Sequence, residues 1–508
     1  MHAMKRTADK SGARLSALLH GITEVPQARD VAVTGVSMDT RTLHAGAVFL
    51  AVPGRRDHGW RYAAQAVRLG AAAIVADSGG AARAGIPGGI PVFEVPGLAA
   101  VAGVIAARFH GEPSRQLRVV GVTGTNGKTS TTHYIAAAMD ELTGGHAGVI
   151  GTLGYGPAGR LEPAPLTTPD PVTLQAELAR QRGLGVQVVA MEVSSHALEL
   201  GRIAGVHFHT AVFTNLTRDH LDFHGDMKAY GAAKRRLFEL PDLGHAVINL
   251  GDDFGLELRR ACAGRVPVTG YRLVDGPLPD AAPDGVLLGR LRDGPPGSLY
   301  LDLLGPWGRA HACCALTGRF NAENLLATCA TLCTMAVPFE HAVALLAHAR
   351  AVPGRMEAFR APGRPLVVVD YAHTPDAVRQ ALATLRPQCR GRLVCVFGCG
   401  GDRDPGKRPQ MGAVVEIHAD LAVITSDNPR SEDPGAIIDA IRSGMKEPGR
   451  ALTEPDRARA IRRAVGAAGV DDIVLVAGKG HETWQEIAGK RVPFSDRALV
   501  RSLLEGAP

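Results

Sequence analysis

Short, continuous apolar runs, each closed by glycine or a polar cluster, recur along the chain and alternate with stretches of helical period. Such runs read as strands buried on both faces, the pattern of parallel sheets. The first segment, residues 1–112, carries VAVTGVSMDT, AVFLAVPG, AAAIVAD and PVFEVPG, and closes on a helical stretch, LAAVAGVIAARFHG. In the second, residues 113–350, LRVVGV reads as a strand, TGTNGKT as a loop and STTHYIAAAMDEL as a helix. Further strands follow in VQVVAMEV, TAVFTNL and HAVINL, with helices between them. The third, residues 351–508, opens near Val352-Pro353-Gly354 and runs through strand RPLVVVD, helix TPDAVRQALATL and strands RLVCVFG, LAVITSD and DIVLVAG. Strand–helix alternation of this kind predicts an α/β fold, with parallel sheets in the second and third segments. In open α/β sheets ligands bind at the carboxyl ends of the strands, where this sequence places its polar and glycine-rich motifs.

The length, 508 residues, fits three domains at roughly 150 residues each. Aromatic residues are only 5%, so the core must rest on Ala, Val, Leu and Ile. No apolar run is long enough to cross a bilayer. The N-terminal MHAMKRTADKSGARL has no apolar stretch of the signal-peptide kind, so the expected address is the cytoplasm. The net charge of +6 is scattered among acids without a long basic run. That disfavours nucleic acid and leaves an anionic small molecule as the expected partner. None of the eight cysteines forms a CxxC pair, and Cys329 and Cys333 stand four apart in an apolar helical pattern. They read as core residues in a set of reduced thiols.

The loop after LRVVGV is the strongest chemical signal. Gly124 and Gly127 let backbone N–H groups face an anion, and the following helix adds its N-terminus. Lys128 can reach the β- and γ-phosphates of a nucleotide, and the Thr129 hydroxyl can hold Mg²⁺. The strict pattern GxxxxGK[ST] is not met, because Val122 stands where its first glycine would fall. Strand, loop, Lys-Thr and helix nevertheless occur in the required order. Glu192 ends the run VQVVAMEV and His220 follows TAVFTNL, so both are expected near the loop; alone, each reads equally as a surface acid and a helix-start histidine. Lys234, beside Arg235 and Arg236, reads on the residues alone as a solvated helix lysine.

The string GVTGTNGKTS resembles the ATP loop of the Mur ligase family, which builds the peptide stem of bacterial cell-wall precursors; folylpolyglutamate synthases share that loop. MEVSSHAL, TNLTRDHLDFHGDMKAYGAAK, GRFNAENLLA, PGRMEAF, VVVDYAHTPDA, GCGGDRDPGKRP, SDNPRSEDP and AGKGHE extend the likeness through the middle and C-terminal segments. DTRTLHAGAVFLAVPG extends it more loosely into the first. Together they look like the family member that adds the third stem residue. The resemblance implies an N-terminal α/β domain (1–112) that binds the UDP end of the precursor. It implies a central P-loop ATPase-like parallel-sheet domain (113–350) and a C-terminal Rossmann-like domain (351–508) that receives the amino acid.

The resemblance also implies roles. Residues Thr123, Gly124, Thr125, Asn126, Gly127, Lys128, Thr129 and Ser130 would form the ATP loop, joined by Asn321, Asn324, Arg355, Asp370 and His373. Arg355 would reach a phosphate only as the third domain closes on the second; a linker salt bridge is its other reading. Glu192 would hold one Mg²⁺ and His220 a second, with Lys234 helping as a carbamate. Lys128, Lys234, His220 and Glu192 are thus the expected catalytic set. Thr40, Arg55, Thr167, Thr168, Ser194 and Arg202 would bind the UDP-linked dipeptide. Leu200 stands where many relatives have Gln, which removes one polar contact. Arg403, Asp427, Asn428, Pro429, Arg430, Gly478 and Glu482 would bind meso-diaminopimelate. There Arg430 would pair both oxygens of the distal carboxylate, its other reading being a surface pair with Glu432 or Asp433.

The implied reaction is ATP-driven amide formation through an acyl phosphate, by a monomer acting on small molecules. Two other readings stand beside it: a different ligase with the same loop, and a P-loop switch or motor without ligase chemistry.

Overall fold

The computed structural model describes residues 12–54, 57–78, 89–294 and 298–506, which divide into two units. The first comprises Met1–Gly121, Thr143–His209 and Leu240–Leu243; the second comprises Val122–Leu142, Thr210–Glu239 and Gly244–Pro508.

In the first unit, strands Gly35–Ser37, Ala47–Ala51, Ala73–Ala76 and Val92–Glu94 form a parallel sheet in that order. Alternate residues face opposite sides, as the two-residue period of a strand requires. Val48, Leu50, Ala73 and Val75 pack with Leu98, Ala102, Ile105 and Ala106 of helix Leu98–Phe109. Ala47, Phe49, Ala51, Ile74 and Ala76 pack with Ala63 and Ala66 on the other face. The run VAVTGVSMDT, read as one strand, is two: Ala32–Val33 pairs antiparallel with Ala13–Arg14, and only Gly35–Ser37 joins the sheet. Also in this unit, Val188–Glu192 pairs parallel with Ala147–Gly151, which pairs antiparallel with Gly154–Pro157. Helix Pro171–Gly183 starts at Asp170, whose carboxylate accepts from the N–H groups of Val172 and Thr173, with proline at the first helical position.

In the second unit, strands Thr210–Phe213, His245–Asn249, Val268–Val274 and Val286–Arg292 run parallel. The expectation of strand–helix alternation already fails among them: Val268–Val274 and Val286–Arg292 pair parallel with no helix between. Leu299–Gly305 and Gly308–Cys314 continue from Val286–Arg292 as an antiparallel meander. A short turn at Pro306 and Trp307 suffices for antiparallel neighbours, whereas a parallel pair needs a crossover.

The C-terminal part of this unit is wound on both faces. Its strand order is Glu357–Phe359, Leu366–Asp370, Ile473–Ala477, Leu393–Phe397, Leu421–Ile424, Leu452–Thr453; all pairs are parallel except the first. Leu393, Cys395, Phe397, Ile473, Leu475 and Ala477 face one core, with Val378 and Leu382 of helix Pro375–Leu385 and Met411 of helix Lys407–His418. Val394, Val396, Val474 and Val476 face the other, with Ile461 of helix Arg457–Gly466 and Val500 of helix Asp496–Glu505. Both Cys329 and Cys395 are buried, and the eight cysteines are free thiols. No helix among the described residues is long and apolar enough to cross a membrane.

An ion pair lies under the second of those cores. Arg457 and Asp496 are fully buried and doubly bonded, Nε to Oδ1 at 2.8 Å and Nη2 to Oδ2 at 2.7 Å. The guanidinium also donates to the Ser426 and Ala477 carbonyls at 3.3 and 2.9 Å. It thereby ties together the chain just past Leu421–Ile424 and the end of Ile473–Ala477. Removing one partner would strand a buried charge. Asp496→Ala is expected to lower unfolding free energy by about 3–5 kcal/mol. The paired change Arg457→Met with Asp496→Leu should cost clearly less. Urea denaturation of the variants checks this, and a wild-type midpoint for Asp496→Ala would contradict it.

Candidate functional site

The loop TGTNGKT turns between strand Arg118–Thr123 and helix Lys128–Thr143, as its sequence predicts. Both glycines are obligatory there. At Gly124, φ +152°, a Cβ would lie 1.8 Å from the Thr214 hydroxyl; at Gly127, φ +84°, it would lie 2.5 Å from Asn324 Oδ1. Residues past strand Thr210–Phe213 hold the loop from the side. The Thr125 N–H donates to the Asn215 carbonyl (2.8 Å), the Asn126 N–H to Asn215 Oδ1 (2.9 Å), and the Thr214 hydroxyl to the Asn126 carbonyl (2.6 Å). The Lys128 ammonium folds back onto the Gly124 and Thr125 carbonyls, both at 2.9 Å.

Lys234 meets the same carbonyl. It lies on helix Met227–Arg235, as expected, but the solvated reading fails: it is 1% exposed, and its ammonium donates to the Gly124 carbonyl at 2.8 Å. The amine also stands 4.3 Å from the centre of the Tyr230 ring. Burial, with the Lys128 charge adding to it, holds the Lys234 amine far below the usual lysine range, against the pull of Asp219. A neutral buried amine is the form that can add CO₂. Among the described residues no three His, Cys, Asp or Glu groups come together to hold a metal ion.

Asp219, which sequence reasoning missed, is buried beside two imidazoles and an ammonium group. His220 Nε2 lies 3.3 Å from its Oδ2, His373 Nε2 lies 3.6 Å from the same oxygen, and Lys407 Nζ lies 3.9 Å from Oδ1. Burial alone would raise this carboxyl, but His373, His220 and Lys407 outweigh it and hold it well below the usual range. The signal was its place between Arg218 and His220 in TRDH. Arg218 itself pairs with Asp404 at 3.1 and 3.2 Å, and Arg403 stands 3.9 Å from Asp222. His220, Asp402 and Arg430 are three of the non-glycine residues with positive φ among those described. Strained backbone of this kind tends to gather in functional loops.

Arg355 stands at the start of the loop helix: its Nη2 donates to the Thr129 hydroxyl at 2.9 Å, and its guanidinium lies 4.2 Å from the Tyr371 ring centre. This contact, rather than a linker salt bridge, is what positions it. Asp370, at the end of its strand, is fixed by accepting from the Met356 N–H (2.6 Å) and the Ala372 N–H (2.8 Å). Burial raises its carboxyl, against the pull of Arg355 and those N–H groups. Asn321 and Asn324 lie on helix Arg319–Thr334 and accept from the Tyr134 and Thr131 hydroxyls of the loop helix, at 3.1 and 3.2 Å. Asn324 Nδ2 is buried with no protein partner among the described residues. An orphaned donor beside Gly127, with the open glycine backbone and Lys128, fits a phosphate chain.

In the first unit, Glu192 is 1% exposed, so the surface-acid reading fails. Its carboxylate accepts from the Thr152 N–H at 2.7 Å and the Thr152 hydroxyl at 3.1 Å. Thr152, also missed, bonds Thr167 through its hydroxyl at 3.1 Å. The Thr168 hydroxyl donates to the Glu192 carbonyl (2.8 Å), accepts from the Ser194 N–H (3.1 Å), and the Thr168 carbonyl accepts from Arg202 (3.0 Å). Four of the residues expected around the precursor thus form one cluster with Glu192. Thr40 donates to Gln65 Oε1 at 3.2 Å, away from these bonds. Leu200 is half-exposed, and Arg55 lies outside the described residues.

Asp427, Asn428, Pro429 and Arg430 follow strand Leu421–Ile424, and Gly478 and Glu482 follow Ile473–Ala477. Arg430 does not pair with Glu432 or Asp433. Its Nη1 donates to the Gly401 carbonyl (2.7 Å) and its Nε lies 3.6 Å from Glu486. Glu432 is taken by Arg408 at 2.8 Å, and Asp433 caps helix Pro434–Arg442. Asn428 and Glu482 are bonded to one another at 3.0 Å. Lys479 lies in the loop Gly478 to Glu482 that the resemblance assigned to the pocket, which gave this lysine no role of its own.

His481, in the same turn, stacks at 5.1 Å on Tyr371. Burial, then the charges of Arg355, Arg497 and Lys479, push its imidazole down to about 3. Between about pH 3 and 6.5 the unfolded chain therefore binds the extra proton, and this contribution to stability rises with pH and is lost as pH falls through that window. Denaturation midpoints from pH 7 to 4 should fall less steeply for His481→Gln than for the wild type. Parallel curves would contradict the buried neutral imidazole.

Three family descriptions match consecutive stretches: "Mur ligase family, catalytic domain" over 32–110, "Mur ligase middle domain" over 122–332, and "Mur ligase, glutamate ligase domain" over 354–480. Two relatives are named UDP-N-acetylmuramoyl-L-alanyl-D-glutamate–2,6-diaminopimelate ligase. That of Alkalilimnicola ehrlichii is 48% identical over 97% of this chain and 99% of its own; that of Chromobacterium violaceum is 49% identical over 97% and 98%. A solved structure bearing the same enzyme name is 32% identical and covers 97% of this chain and 99% of that one, at TM-score 0.67. MurF from Acinetobacter baumannii shares the fold at 18% identity, covering 97% of this chain and 100% of its own, at TM-score 0.65. By this full-length likeness, in a chain whose glycine loop carries two lysines on one carbonyl, the protein belongs to the Mur ligase family.

Proposed function

We propose that the chain is an ATP-dependent amide ligase that adds meso-diaminopimelate to UDP-N-acetylmuramoyl-L-alanyl-D-glutamate. One observation carries this reading: the chain matches, over 97% of its length and at 48–49% identity, enzymes named for that substrate pair. The reaction begins as the γ-carboxylate of D-glutamate attacks the γ-phosphorus of ATP. The bond to the bridging oxygen breaks, giving an acyl phosphate and ADP. An amine of diaminopimelate then adds to the acyl carbon, phosphate leaves, and the amine's proton is released.

The protein's part is positioning and charge neutralisation. Residues 123–130 cradle the phosphates, with Lys128 trading its loop carbonyls for phosphate oxygens, and Asn321, Asn324, Arg355, Asp370 and His373 complete the nucleotide side. Lys234 adds CO₂ through its neutral amine: the N–C bond forms and one N–H proton leaves. Mg²⁺, held through Thr129, Glu192, His220 and the Lys234 carbamate, would supply positive charge against the phosphates. Thr40, Arg55, Thr167, Thr168, Ser194 and Arg202 bind the precursor. Arg403, Asp427, Asn428, Pro429, Arg430, Gly478 and Glu482 bind diaminopimelate. The domains divide at about residues 112 and 350, and the enzyme acts as a cytoplasmic monomer.

Coupled ADP release should require both the UDP-linked dipeptide and diaminopimelate, with lysine a poor substitute. ADP release without either substrate would reject the ligase reading. Lys234→Ala should be nearly inactive and partly restored by formate, which can fill the vacated carboxylate place; full activity of the variant would reject the carbamate. Arg430→Ala should lower kcat/KM for diaminopimelate roughly ten- to a hundredfold, the loss of a charge-assisted contact worth about 1.5–3 kcal/mol, with KM for ATP nearly unchanged. Unaltered selectivity against lysine in that variant would reject the role of Arg430.

A further inference from the structure

The turn after strand Ile473–Ala477 hides a lysine. Lys479 lies between Gly478, φ +117°, and Gly480, φ +51°, and its side chain is 0% exposed. Neither glycine can be replaced freely: a Cβ on Gly478 would lie 2.5 Å from Asp427 Oδ2, and one on Gly480 would lie 2.6 Å from the Gly354 carbonyl oxygen. The backbone bends here in a way that turns the lysine into the protein. A buried ammonium is costly unless it is paired and hydrogen-bonded.

Its partners form a closed ring. The Lys479 ammonium donates to Glu482 Oε2 at 2.5 Å and to Asn428 Oδ1 at 3.0 Å, while Asn428 Nδ2 donates to the same Glu482 oxygen at 3.0 Å. Asn428 Oδ1 also accepts from the Glu486 N–H at 3.0 Å. Two donors on Oδ1 leave the amide only one orientation, with Nδ2 toward Glu482. The Glu486 carbonyl in turn accepts from the Arg430 N–H at 3.0 Å. Trp484 closes the ring's side, its centre 5.6 Å from the ammonium.

We infer that Lys479 is the positioning residue of the amino-acid pocket: its ammonium fixes Asn428 and Glu482 so that one Glu482 oxygen remains to accept from the substrate's ammonium. The inference rests on the assignment of Asn428 and Glu482 to diaminopimelate. Oε2 of Glu482 takes both protein bonds, and Oε1 has no hydrogen bond among the described residues. A carboxylate pinned at one oxygen presents the other in a set direction, which a freely rotating glutamate would not. Lys479 touches no reacting atom, and its hydrogen bonds reach the substrate only by way of Glu482 and Asn428.

The test uses the full-length enzyme and ADP release, first with the wild type. Absence of diaminopimelate-dependent turnover there would overturn the substrate assignment itself, independently of Lys479. Given turnover, Lys479→Met should raise KM for diaminopimelate about tenfold or more, with KM for ATP and for the precursor within about twofold. In a Glu482→Gln background, adding Lys479→Met should raise KM little further, because the carboxylate through which it acts is already gone. An unchanged KM, an equal rise in all three KM values, or full additivity with Glu482→Gln would overturn the inference. Should Lys479→Met fail to fold, the uncharged pair Lys479→Met with Glu482→Gln is compared with Glu482→Gln alone. Equal KM supports the inference, and a further large rise overturns it.

Discussion

Two lysine side-chain nitrogens share one backbone carbonyl, that of Gly124, and the nucleotide end of the site is organised around this constraint. Burial, with the nearby Lys128 charge adding to it, disfavours the charged form of the Lys234 amine, which eases the crowding of two amines on one oxygen. The loop must offer that carbonyl inward while its Thr125 and Asn126 N–H groups are held by Asn215. Gly124 and Gly127 make this backbone shape possible, and Thr214, Asn215 and Thr217 brace it from the neighbouring chain. Lys128 then waits on carbonyls that a phosphate can replace, whereas Lys234 is set up for a different chemistry altogether. Two lysines on one oxygen thus differ in burial, and the roles proposed for them differ accordingly.

The same logic of buried charge recurs where the C-terminal strands end. Arg457 and Asp496 neutralise one another inside an apolar face, and the guanidinium's remaining donors bind the Ser426 and Ala477 carbonyls. Lys479, Asn428 and Glu482 repeat the arrangement in the turn after Ile473–Ala477. Asp219 does so with opposite sign, as one buried anion among His220, His373 and Lys407. Ion pairs of this type contribute little net stability against apolar replacements, yet breaking one partner is costly. Their use here is geometric: each holds a loop whose neighbouring side chains the family likeness assigns to substrate.

Much was legible in the chain itself. Continuous apolar runs located the parallel strands, glycine and proline punctuated them, and the order strand, loop, Lys-Thr, helix marked the phosphate loop, because these are local properties of consecutive residues. The motif strings added the family, and most of the residues they pointed to lie at strand ends, such as Glu192, Asp370 and Asn428. Where no element was assigned from the sequence, between HAVINL and GRFNAENLLA, the strands Val286–Arg292, Leu299–Gly305 and Gly308–Cys314 form an antiparallel meander, the last two joined by a two-residue turn that removes the need for a crossover.

Burial and strand order were decided only by the tertiary structure. Lys234, read as a solvated lysine from its arginine neighbours, is enclosed by residues more than a hundred positions away in sequence, Gly124 among them. Lys479, Arg457 and Asp219 look like ordinary surface charges in the sequence, and each becomes a structural centre through partners brought from distant elements. Strand Ile473–Ala477 inserts between Leu366–Asp370 and Leu393–Phe397, which places the AGKGHE turn beside the SDNPR loop. Sequence determines which local shapes a segment can take; desolvation and partner choice depend on what else occupies the same space, and only the folded chain sets that.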